Sequence, residues 1–80
     1  MVNRTIEIIE KEPALRRRRS ILYDKLYDKY MRGTYTRNGG KRVMSILVKE
    51  ANRKSGLTLP KSDRSEAISI LVKDFEDKMY

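Results

Sequence analysis

An apolar seam near the end of the chain constrains the fold more than any other feature. Ile68, Leu71, Val72, Phe75 and Met79 follow at i, i+3, i+4, i+7 and i+11, the spacing that gathers them on one stripe of an α-helix. Lys73, Asp74, Glu76, Asp77 and Lys78 fill the intervening positions and keep the other side wet. A stripe of that size has to be hidden against something. The usual substitutes for a large core are missing, because the 80 residues include no Cys and no His. There is then no disulfide framework, and a structural zinc site lacks its ligands. A lone core in so short a chain is marginal, so packed helices or a second copy must supply the rest. The seam is accordingly read as a homodimer interface formed by Ile68, Leu71, Val72, Phe75 and Met79.

Other segments carry weaker versions of the same signal. Leu15, Leu22 and Leu26 fall at i, i+7 and i+11, and Tyr23, Tyr27 and Tyr30 widen their stripe. Pro13 suits the first helical position and Gly33 the stop, which predicts a helix over 13–32. Val43, Ile46, Leu47 and Ala51 predict a second over 41–54, closed by Gly56. Leu57 and Leu59 in the following connector are expected to tuck into the core. Ser62 or Asp63 then caps a third helix over 63–80, with a capping-box spacing from Asp63 to Glu66. Between the first two helices, Thr34-Tyr35-Thr36-Arg37 is β-prone and Asn38-Gly39-Gly40 is a turn signal. Residues 2–12 fit either a short strand, through the alternation from Arg4 to Ile8, or one or two helical turns. The expected architecture is one mainly α domain. It has three helices, a short β-prone segment at 34–37, an ambiguous N-terminal strand or turn, and an intertwined homodimer.

Charge narrows the function. The chain carries 19 basic and 11 acidic residues, a net charge of +8. Ten of the basic residues and only two acidic ones lie in residues 13–42, so the whole excess sits in one stretch. Segregation of that kind implies a polyanion-binding part followed by a part that folds and associates. Arg16, Arg17, Arg18 and Arg19 ring a helix and can reach phosphates on more than one side. Arg32, Lys41 and Arg42 extend that phosphate-binding set. Thr34, Tyr35, Thr36, Arg37 and Asn38 offer the donors and the aromatic ring used at base edges.

No general base of the His type and no thiol nucleophile is available, and the carboxylates all have basic neighbours. The chain is therefore read as non-enzymatic, with no cofactor, no metal and no small-molecule ligand. Its longest apolar runs are three or four residues, too short for a membrane span or a signal peptide. A cytoplasmic location is expected. Abundant Lys, Arg, Glu and Ile with no Cys also suits a thermophile.

Asp63-Arg64-Ser65-Glu66-Ala67-Ile68, with Leu71-Val72 and Phe75 after it, resembles the second-helix motif of ribbon-helix-helix repressors. The resemblance covers residues 34–80. It implies that Thr34-Tyr35-Thr36-Arg37 forms a ribbon laid in the DNA major groove by a dimer. The basic character is also similar to that of small regulators from archaeal plasmids and viruses. The combined expectation is a sequence-specific double-stranded DNA-binding homodimer acting in transcription or copy-number control. Alternatives are an RNA-binding or ribosome-associated protein, an adaptor for an acidic partner, and a helix-turn-helix variant. That variant pairs 41–54 with 63–80 and turns Lys61, Arg64 and Ser65 to the DNA.

Overall fold

A computed structural model describes residues 3–56 and 58–79, and these form four helices: α1 (Arg4–Lys11), α2 (Pro13–Met31), α3 (Arg37–Ser55) and α4 (Lys61–Met79). The expected three-helix plan with a β-prone insert is thereby corrected. No strand occurs among the described residues. Leu57 and Tyr80 lie outside them.

The N-terminal ambiguity resolves to helix for a reason that is partly local and partly distant. Asn3 caps α1, its side-chain oxygen accepting from the Ile6 N–H at 3.0 Å. Two further N–H groups of that first turn, those of Arg4 and Thr5, donate to the Asp63 carboxylate at 3.1 Å each. The buried Thr5 hydroxyl donates to the same carboxylate, and Asn3 donates its amide N–H to the Asp63 carbonyl at 2.9 Å. An isolated eight-residue helix is unstable in water, so the clamp from α4 and the burial of Ile9 in the core together keep α1 formed. The expectation that Asp63 caps its own helix is corrected here. That helix starts earlier, at Lys61, and the Asp63 side chain serves the neighbouring N-terminus.

Thr5, the largest single influence, and the two backbone donors hold the Asp63 carboxyl below its ordinary range. Its stabilising contribution is therefore complete above about pH 4 and is lost as pH falls through the depressed value. Asp63→Ala is expected to cost about 1–2 kcal/mol at neutral pH. Acid titration followed by circular dichroism should show the gap to the parent closing below about pH 4.

Both expected helix stops hold. Gly33 and Gly56 adopt φ of 77° and 68°, the left-handed conformation that favours glycine. At the end of α2, Thr34 N–H bonds the Lys29 carbonyl at 2.9 Å and Gly33 N–H that of Tyr30 at 3.0 Å, the paired closure of a Schellman motif.

The segment read as ribbon and turn is the largest correction. Residues 34–36 are an irregular link, with Thr36 extended and none of them in a strand, and α3 begins at Arg37 rather than near 41. Thr36 caps it by accepting from the Gly39 N–H at 3.0 Å. Gly39 and Gly40 thus lie in the first turn of a helix, not in a reverse turn. Gly40 is there for close approach: a Cβ at that position would meet the Tyr35 hydroxyl at 3.0 Å and Cε1 at 3.2 Å. Gly40→Val is accordingly expected to lower stability by about 1–3 kcal/mol, read from thermal unfolding. With no strand at 34–37, the ribbon that the ribbon-helix-helix resemblance implied does not exist.

The core draws on every helix. It consists of Ile9 from α1; Leu15, Leu22 and Leu26 from α2; Met44, Leu47, Val48 and Ala51 from α3; and Ala67, Leu71, Val72 and Phe75 from α4. Leu59 from the connector is buried as expected. Tyr23 and Tyr35 tilt against Phe75 with ring centroids 5.7 and 5.3 Å away. Tyr23 donates its hydroxyl to the Asp74 carboxylate at 2.9 Å, within 3.1 Å of the Leu71 carbonyl. Burial, reinforced by Asp74, pushes that phenol well above its usual range. The seam assigned to a dimer is therefore covered within one chain. Leu71, Val72 and Phe75 are buried, while Ile68 and Met79 pack half-buried on the same cluster. No intertwined partner is required to hide them.

Candidate nucleic-acid interface

Folding sorts the charge by helix. The sequence of α3 holds six basic residues and one acidic residue, Glu50, and α2 holds six and two. In α4 four basic residues accompany five acidic ones. The positive excess is thus a property of α2 and α3 together.

On α3 the sorting extends to faces. Its buried residues Gly40, Met44, Leu47, Val48 and Ala51 recur at i, i+4, i+7, i+8 and i+11. Asn38, Arg42, Ser45, Ile46 and Lys49 repeat that spacing two positions earlier, and Arg53 continues it. Two residues correspond to about 200° of helical rotation, so this second stripe points directly away from the core. All of it is exposed except the half-buried Ser45. It runs for about 22 Å and carries no carboxylate. Glu50 stands off its edge and faces Arg18 at 3.7 Å.

That ion pair also fixes how α2 lies. With the short 32–36 link joining them, α2 and α3 must run antiparallel, Arg18 beside Glu50. Arg17 and Arg18 then flank the C-terminal half of the stripe, and Lys25 and Lys29 flank its N-terminal half. Lys25, Lys29, Arg42, Lys49 and Arg53 are exposed and make no ion pair among the described residues.

The residues singled out in the sequence are dispersed by this geometry. Of the four consecutive arginines, Arg16 and Arg17 are exposed, Arg18 faces Glu50, and Arg19 pairs with Glu10 of α1. Arg32 pairs with Asp28 at 3.3 Å. Four of the five candidate base readers have other tasks. Thr34 closes α2 through a 3.2 Å bond to the Lys29 carbonyl, and Thr36 caps α3. Tyr35 donates to Glu76 at 2.7 Å, and Arg37 grips the same carboxylate with bonds of 3.2 and 2.8 Å. Those two partners, Arg37 first, hold the Glu76 carboxyl below its ordinary range. Asn38 alone lies on the outward stripe. Lys41 instead lines a cavity of about 370 Å³ between α3 and α4, with Arg37, Ser69, Val72, Lys73 and Glu76.

Four stripe residues escape a reading of the sequence alone: Ser45, Ile46, Lys49 and Arg53. Their signal is present as the copy of the buried spacing displaced by two positions. The start of α4, which a helix-turn-helix would present, is engaged with α1 through Asp63 and Asn3. Arg64 there turns back to donate to the Leu59 carbonyl at 3.2 Å.

No group of acidic residues among those described is arranged to hold a metal ion, and no helix among them is long and apolar enough to cross a membrane. No protein-family model, no curated protein and no solved structure matches the chain.

Proposed function

We propose that this protein binds double-stranded DNA through the outward face of α3, with α2 alongside on the phosphates, and acts as a regulator of transcription or copy number. The observation that supports this reading most is the carboxylate-free stripe on α3 opposite the core. Solubility does not require cations to be collected on one face while acids gather on another helix. A straight helix of this length, with side chains, fits a B-form major groove about 12 Å wide. Cations on the adjoining antiparallel helix lie where the groove edges carry phosphate. A pair of copies on successive half-sites belongs to the proposal, and it leaves each core intact because the α4 seam is buried within its own chain.

The reading is tested by a salt series on random duplex DNA, with structured RNA as competitor and sizing of the free and bound protein. Affinity should fall linearly with salt on logarithmic axes. Duplex DNA should outcompete RNA, whose narrow, deep major groove does not admit a helix. Absence of binding at low ionic strength overturns the reading, and a single copy per duplex removes the pairing.

A further inference from the structure

Ile46 is the odd residue of the α3 stripe. It leaves 49% of its surface exposed, with Arg42 and Lys49 about one turn away on either side. Ile21 of α2 is 55% exposed and stands level with it, since the Arg18–Glu50 register sets residue 21 abreast of residue 47. The outer side of the α2–α3 seam therefore presents two exposed apolar side chains with Arg17, Lys25, Arg42 and Lys49 within one turn of them, alongside two carboxylates, Glu50 facing Arg18 and Asp24 of α2. A second copy of the chain is a poor occupant, because the same cations would face each other across the contact. The occupant has to be anionic at its margins and apolar in its middle. A DNA major groove has that composition, with phosphates along both edges and thymine C5-methyl groups on the floor.

We infer that Ile46 reads thymine by apolar contact with its C5-methyl group while α3 lies in the major groove, an inference that rests on the duplex-binding reading above. Arg42 and Lys49 hold the flanking phosphates, and the contact makes Ile46 a specificity residue, adding affinity only where a thymine methyl is present.

The test uses duplexes enriched from a random pool and the same duplexes with uracil in place of every thymine, which removes only the methyl groups. Wild-type protein is expected to bind the uracil duplexes about fourfold more weakly for each methyl touched, from the transfer of one such group out of water. Ile46→Ala, at a position outside the core, should bind both duplexes equally and keep the parent salt slope. Equal wild-type affinity for the two duplexes overturns the assignment while leaving duplex binding standing. Discrimination that survives in Ile46→Ala also overturns it. Displacement of DNA by an acidic amphipathic peptide, in a manner that depends on Ile46, assigns the spot to a protein partner instead. Failure to bind any duplex removes the underlying reading as well.

Discussion

Phe75→Ala should leave the chain largely unfolded at moderate denaturant. Phe75 is 1% exposed and is the ring on which both Tyr23 and Tyr35 lean. Truncating a buried phenylalanine costs about 3–5 kcal/mol. A domain of this length has only about 4–12 kcal/mol in total, so the loss consumes much of it. The damage reaches past the cavity itself. Tyr35 spans the first turn of α3 and holds Glu76, so a ring that tips into the void also loosens the start of the helix that carries the stripe. Phe75→Leu, which keeps most of the volume, should cost about 1 kcal/mol. Urea midpoints of the two variants against the parent decide the matter. Similar midpoints for Phe75→Ala and the parent would mean that the aromatic cluster is not central to the core.

The second large effect concerns binding. Converting Arg42, Lys49 and Arg53 together to Gln is expected to lower the steepness of the salt dependence by about 2.7, from about 0.9 for each phosphate that is no longer neutralised. At about 0.1 M salt that corresponds to about 10²–10³-fold weaker binding. Net charge alone does not predict this loss, and a matched control separates the two causes. Lys11, Lys61 and Lys73 are exposed residues on α1 and α4. Their combined change to Gln removes the same three charges away from the stripe. Gel shifts across a salt range should find that control near the parent. Equal losses in the two triple variants would reduce the effect to overall charge and sink the assignment of the α3 face.

Much of the helical framework is legible in the sequence, because its signals are local. Pro13, Gly33 and Gly56 mark ends through their own backbone preferences, and the leucines of α2 and the seam of α4 name their faces by spacing. Three things are not legible, and each depends on residues far apart in the chain. The N-terminal segment is helical in part because Asp63, 58 residues beyond Thr5, accepts its first-turn donors, and in part because Ile9 reaches the core. Asn38-Gly39-Gly40 has the composition of a turn, yet Gly40 is small to admit the Tyr35 ring, which Phe75 and Glu76 hold in place. The seam of α4 demands a covering surface, but nothing in its spacing distinguishes a second copy from α2 and α3 of the same chain. For the candidate site, counting charge along the sequence locates the excess in residues 13–42. It passes over Lys49 and Arg53, whose cations are cancelled in a linear count by the carboxylates of α4.

That separation of charge between helices has an electrical consequence. With twelve of the nineteen basic residues on α2 and α3, and α4 carrying five acidic residues against four basic ones, the molecule is a permanent dipole as well as a cation. A polyanion several ångströms away exerts a torque on it before any side chain makes contact, turning the α2–α3 side forward and leaving α4 behind. Encounters then begin in one orientation, and ionic strength acts first on how quickly they succeed. On the proposed reading, the carboxylates of α4 contribute to that alignment without touching the polyanion.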